Sequence, residues 1–363
     1  MLDEMLRTKH VIVCTGAGGV GKTTASAALA LRAADLGRRV IVCTIDPARR
    51  LAQSMGLAEL DNIPHRVPVS LKDKRGELFA MMLDMKRTFD EMVQEMASGD
   101  RAEQILDNPF YKHVSGTLAG TQEYMAMEKL WELHEEGGWE LIVVDTPPTR
   151  SALDFLDAPR RLTDFLEGRF LKLMLWPYMK AGKGGLKVIN LGTQVALRAV
   201  TRITGSELFG DVAAFFASFE GMYADFKNRA VRVRELMQAP RTSFVVVTAP
   251  TSPSLREARF FAERLRSEGM PLGGLIVNRT HPAPITIEDP AGLAARAEGV
   301  LAHALIAYEQ VRALGEREQL LLEATVGELG RAPVWQVPEL TDEVTDLKAL
   351  RHVGSLIANG ALP

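Results

Sequence analysis

The sequence predicts an α/β fold, a doubly wound and mostly parallel sheet carrying a helical insertion subdomain, and three observations support that expectation. Five short apolar runs, at residues 10–14, 40–44, 141–144, 244–248 and 275–277, are continuous rather than alternating, with a weaker sixth at 334–337. A strand of a parallel sheet covered by helices meets water on neither face, so uninterrupted hydrophobicity is what it requires. Between the runs the apolar period becomes helical, and the runs themselves stop near residue 145 and resume near 243.

The first run leads through a glycine-rich stretch into an Ala-rich helix that reaches about Asp35 and is closed by Gly37. From 77 to 96, Leu78, Met82, Met85, Phe89, Met92 and Met96 step by four and three, which predicts one helical stripe. From 207 to 237, Leu208, Val212, Phe215, Phe219, Met222 and Phe226 repeat that spacing, enough for a helix of ~45 Å. Val344, Leu347, Leu350, Val353 and Leu356 share a stripe that predicts a final helix packed on the sheet. The expected organisation is one domain over 1–363. Its core covers about 1–70, 137–155 and 241–363, and its helical subdomain about 71–136 and 156–240.

Composition excludes several classes. Hydrophobic residues at 47%, charged residues at 25%, 30 Gly and 18 Pro describe a globular chain, not a disordered or collagen-like one. A net charge of −3 gives no bulk attraction to a polyanion, so nucleic-acid binding is not expected. Cys14 and Cys43 are the only cysteines and both lie in apolar runs, which reads as two core residues of a reducing compartment. No apolar run approaches the roughly 20 residues of a bilayer span, and the mixed-charge N-terminal segment is unlike a signal sequence. A cytoplasmic location is therefore expected.

The strongest motif is Gly16-Ala17-Gly18-Gly19-Val20-Gly21-Lys22-Thr23-Thr24, a phosphate-loop pattern of Gly, four residues and Gly-Lys-Thr. Its context fits, because it follows a predicted strand and opens a predicted helix, where backbone amides and the helix dipole favour an anion. Glycines let N–H groups turn onto phosphate oxygens without a Cβ in the way. Lys22 suits the β- and γ-phosphates and the Thr23 hydroxyl suits Mg²⁺. The fold is thus expected to be of the P-loop NTPase type.

Two further segments follow predicted strands, Thr44 to Arg50 with Asp46 and Asp145 to Arg150 with its leading carboxylate. Ligands of open α/β sheets bind beyond the carboxyl ends of the strands. There Asp145 suits holding the metal, directly or through water, and Asp46 suits orienting or deprotonating the attacking water. Thr23, Asp46 and Asp145 are the candidate oxygen ligands of Mg²⁺.

Together with Val277-Asn278-Arg279 and Val337-Pro338-Glu339-Leu340, these motifs resemble the ArsA/GET ATPases, relatives of MinD, ParA and the nitrogenase iron protein. The resemblance runs from residue 11 to about 350. It implies ATP and ADP as ligands, Asp46 as the switch I carboxylate, Asp145 as the start of switch II, Asn278 as a hydrogen-bonding partner of adenine, and Pro338 with Glu339 beside it. It also implies a nucleotide-controlled dimer, with itself or with a related ATPase, and a hydrophobic helical client.

Three departures qualify the resemblance. Ala17 stands where the family's loop carries a lysine that reaches across the dimer, and Arg49, Arg50 and Arg150 are the candidate substitutes. The zinc-binding Cys-x-x-Cys pair and the thiolates that bind arsenite are both missing, so no zinc or arsenite site is expected. The 15 methionines, many in the helical regions, and the apolar stretch 165–179 would suit a client groove, or else a helical core. Two other functions remain open: a weakly active regulatory subunit that pairs with a lysine-bearing paralogue, and a MinD/ParA-like positioning ATPase that uses 344–363 at a membrane.

Overall fold

The computed structural model describes residues 1–45, 50–97, 99–114, 121–146, 211, 215, 222–282, 287–329 and 332–361. In chain order the elements are α1 (Leu2–Thr8), β1 (Val11–Thr15), α2 (Lys22–Asp35), β2 (Arg39–Thr44), α3 (Arg50–Ser54), β3 (His65–Arg66), β4 (Glu77–Met82), α4 (Met85–Met96), α5 (Asp100–Leu106), α6 (Pro109–Val114), α7 (Thr121–Glu136) and β5 (Leu141–Asp145). They continue with α8 (Tyr223–Gln238), β6 (Thr242–Thr248), α9 (Ser252–Ser267), β7 (Leu272–Thr280), α10 (Pro290–Arg296), α11 (Gly299–Leu329), β8 (Val334–Pro338) and α12 (Leu347–Asn359).

Among the described residues the strands form one eight-stranded sheet in the order β3-β4-β2-β5-β1-β6-β7-β8. Every pairing is parallel except the two-residue β3 against β4. The uninterrupted Val/Ile runs are explained by burial on both faces: β1, β5 and β6 have no exposed position. In the register, Cys14 faces Asp145 and Asp145 faces Thr44, so the carboxyl ends of β1, β2 and β5 lie side by side. The strand order reverses around β1, which is where an open α/β sheet leaves a crevice.

Alanines dominate α2, and Ala27, Ala28, Ala30, Ala33 and Ala34 are fully buried. Leu350, Val353 and Ile357 of α12 enter the same core, so the predicted C-terminal stripe is an interior surface. Beyond α12, the Gln336 N–H donates to the Gly360 carbonyl at 2.8 Å and Trp335 bridges to Ala361, lining the outer edge of β8.

One sequence expectation is overturned. Leu78 and Met82 do not begin a helix but lie in β4, which pairs with β2 from Arg39↔Glu77 to Thr44↔Met82. The helix starts only at Met85, capped by Asp84, whose carboxylate accepts from the Arg87 N–H at 3.0 Å. The step of four from Leu78 to Met82 imitated a helical stripe, while the continuous run from Leu78 to Leu83 was the strand signal. The sheet therefore extends past residue 70, to 82.

The chain divides into two compact units, one of Met1–Met82, Leu133–Leu153 and Met237–Pro363, the other of Leu83–Glu132 and Asp154–Leu236. In the second, Phe89, Met92, Val93, Ile105, Tyr111, Tyr124, Met125, Phe215 and Met222 form a core of their own. Met92, Met125 and Met222 are thus interior packing, and the 165–179 stretch lies outside the described residues. Within this unit Glu128 is buried, paired with Arg229 at 2.9 Å, and accepts from the Tyr124 hydroxyl at 3.2 Å. Burial raises the Glu128 carboxyl to about 7 against the pull of Arg229.

Candidate functional site

The loop between β1 and α2 is shaped by contacts that only glycine permits. A Cβ on Gly16 would overlap the Val247 carbonyl of β6, and one on Gly21, at φ 95, would overlap the Asn278 amide. Gly21 is the N-cap of α2, has no side chain to bond the helix amides, and is followed by a first turn without acidic residues. Those N–H groups and the positive end of the helix dipole suit an anion.

Lys22 is buried and its Nζ donates to the Ala17 carbonyl at 2.7 Å, so the ammonium folds over the loop. Thr23 Oγ1 donates to Asp145 Oδ2 at 2.7 Å, and Thr44 Oγ1 donates to the same oxygen at 2.9 Å. Asp145 is fully buried at the mouth of β5. Next to it the Thr146 hydroxyl donates to the Cys14 carbonyl at 2.9 Å and ties the strand ends together. Thr44 was not singled out from the sequence, although a threonine ending a buried strand beside the loop was the available signal.

A hydroxyl and a carboxylate in contact are hard oxygen donors that fit Mg²⁺, which usually takes one or two carboxylates plus phosphate and water. Among the described residues no group of three or more His, Cys, Asp or Glu is arranged to hold a metal. Asp46, Arg49 and Arg150 lie outside the described residues, as does the Arg50 side chain.

A cavity of about 670 Å³ opens beside the loop, lined by Gly21, Thr23, Thr24, Asn278, Pro338 and Glu339 among others. The structure thus brings the C-terminal end of the sequence-predicted loop and Asn278, Pro338 and Glu339 around one space. Asn278 Nδ2 donates to the Val20 carbonyl at 2.9 Å and so braces the loop from β7. The β7–β8 register shifts between Asn278 and Thr280, and Arg279 takes φ 63, an unusual value for a residue with a side chain. This bulge places Arg279 in the cavity lining, which spacing alone did not indicate.

In the sequence His281 shares no metal-ligand spacing and reads as a surface residue, but the structure sets it between two carboxylates. Its Nδ1 lies 2.9 Å from Glu318 Oε1 and its Nε2 lies 2.8 Å from Glu339 Oε2. Burial lowers its pKa, but the hydrogen bonds and charges of Glu318 and Glu339 outweigh that and leave it above the ordinary 6.5. Both cysteines are buried, and burial pushes the Cys14 thiol up to about 12. No helix among the described residues is long and apolar enough to cross a membrane.

Comparison with known proteins gives a consistent picture. Residues 9–298 match the family described as Anion-transporting ATPase, ArsA_ATPase. The chain is 27% identical to ATPase GET3B of Arabidopsis thaliana over 304 residues, 77% of this chain and 67% of that protein. It is 24% identical to the Putative arsenical pump-driving ATPase 1 of Aquifex aeolicus over 357 residues, 96% of this chain and 78% of that one. With ATPase ARSA1 of Chlamydomonas reinhardtii it shares 28% identity over 291 residues, 75% of this chain but 34% of that longer protein.

Proposed function

Because the chain belongs to the anion-transporting ATPase family, and is an ATPase of the ArsA/GET type, we propose that it hydrolyses ATP held with Mg²⁺ between β1 and α2. The supporting observation is the 2.7 Å contact of the Thr23 hydroxyl with the Asp145 carboxylate, at the strand mouths around which the glycine loop wraps. In this role Lys22 gives up its bond to the Ala17 carbonyl for β- and γ-phosphate oxygens, and the first amides of α2 cradle the anion. Thr23 and Asp145 hold the metal, with Asp46 as a further oxygen ligand through water. When bound, Mg²⁺ neutralises charge on the transferring phosphoryl group. Asp46 orients the attacking water and takes its proton, while Asn278, Pro338 and Glu339 face the adenine.

Nucleotide state then controls the pairing of two chains and the exposure of a hydrophobic helical client surface, in one cytoplasmic P-loop domain with a helical subdomain. Soft metalloids take thiolate ligands, and with its two cysteines both buried the chain is not proposed to bind one. The decisive test is phosphate release and ATP binding by the purified chain. Lys22→Ala loses nucleotide binding or turnover, and Asp46→Asn keeps ATP but stops hydrolysis; both unaffected would refute the site.

Ala17 favours a second reading, a regulatory subunit. Loss of one preorganised transition-state donor costs about 10²- to 10³-fold in rate. Robust turnover by the single chain rejects that role, and turnover that appears only with a lysine-bearing partner supports it.

A further inference from the structure

We propose that His281 is a positioning residue for nucleotide binding, its ring pinning Glu339, at the lip of the base-side cavity, to Glu318 of α11. The proposal rests on the cavity being the base side of an ATP site.

The geometry leaves His281 little freedom. Thr280 pairs with Pro338, and the Glu339 N–H donates to the Thr280 carbonyl at 2.9 Å, so His281 and Glu339 lie just beyond the last paired residues of β7 and β8. Glu318 is buried on α11, and its other oxygen accepts from the His281 backbone N–H at 2.9 Å. Gly315, one turn earlier, lets the helix approach: a Cβ there would overlap the His281 carbonyl oxygen. A buried carboxylate needs such donors, so Glu318 holds His281 firmly.

Both ring nitrogens face carboxylates. A neutral imidazole offers one donor and one acceptor, so only the imidazolium satisfies Glu318 and Glu339 together. Among the described residues, those two carboxylates, one from α11 and one from the segment after β8, are the charged groups facing the ring. When the proton leaves, one nitrogen lone pair must face an oxygen. Glu318 keeps its backbone N–H and is buried, whereas the Glu339 side chain is half exposed, so Glu339 is the partner released. The lip loosens, and an uncompensated negative charge is left beside an anionic ligand. ATP affinity therefore falls as pH rises through the raised histidine pKa.

The experiment titrates the full chain with a nonhydrolysable ATP analogue and, separately, with tripolyphosphate, each with Mg²⁺, from about pH 6 to pH 8.5. Taking the ratio of the two affinities removes the phosphates' own protonation and isolates the base side. In the parent chain the ratio falls about threefold to tenfold, the worth of one charge-assisted hydrogen bond to a half-exposed partner. In His281→Gln it stays flat. If His281→Gln does not fold, Glu339→Gln decides at its exposed position, where the ratio must also lose its slope. A flat ratio in the parent, or an unchanged slope in the folded variant, overturns the role of His281. No binding of the ATP analogue at any pH sinks the ATPase site itself.

Discussion

Replacing Gly21 by alanine tests how the phosphate loop is held. At φ 95 an L-residue pays a left-handed penalty of about 1–2 kcal/mol. The new methyl also overlaps the Asn278 amide, which must swing away and lose its 2.9 Å bond to the Val20 carbonyl, a further ~0.5–1.5 kcal/mol. Gly21→Ala is therefore expected to lower stability by about 1.5–3.5 kcal/mol in urea unfolding. Asn278→Ala removes the overlapping amide, so in that background only the backbone penalty survives. A double-mutant cycle should give a coupling of about 1 kcal/mol. An equal cost of Gly21→Ala in both backgrounds would refute the claim that Asn278 excludes a side chain there.

Three other outcomes follow from the structure. The Glu128 carboxyl, raised to about 7 by burial, binds its proton more tightly in the folded chain than the ordinary 4.5. That contribution is present at low pH and is lost as pH rises from about 4.5 to about 7, by roughly 3 kcal/mol at most. Glu128→Gln should flatten the pH dependence of unfolding of the helical unit, and an unchanged slope argues against the assignment. Cys14, with its thiol at about 12, should resist alkylation at pH 8 until the chain is denatured; rapid labelling of native protein, read by mass spectrometry, contradicts its burial. Ile357→Ala should cost about 2–5 kcal/mol in chemical denaturation, because its side chain lies in the main core; a surface-like change of a few tenths would place α12 elsewhere.

The glycine loop was legible as a strand-to-helix turn because its close packing on β6 and β7 leaves no room for a Cβ at Gly16 or Gly21. The Val/Ile strands were legible because burial on both faces leaves no polar alternation. β4 was not, because an apolar run too short to distinguish periods two and four was read together with the helix that follows it. The 31-residue α11 shows no periodic stripe strong enough to read, since Leu305, Glu318, Leu322 and Thr325 are its few buried positions among the described residues. His281 reads as a mere surface residue in the sequence for a different reason. Its partners lie 37 and 58 residues away, and only the β7–β8 pairing and the passage of α11 bring them together. Arg279 likewise owes its place to a bulge, which hydrophobic pattern does not encode.

The short run at 360–361 along β8 bears on how the sheet's outer border is protected. An uncovered outer strand offers backbone donors and acceptors to any neighbouring chain, and the opposite border of the sheet is blunted by a strand of only two residues. Trimming the chain back to residue 359 would unmask Trp335 and Gln336, inviting concentration-dependent self-association with little change to the cavity beside Gly21.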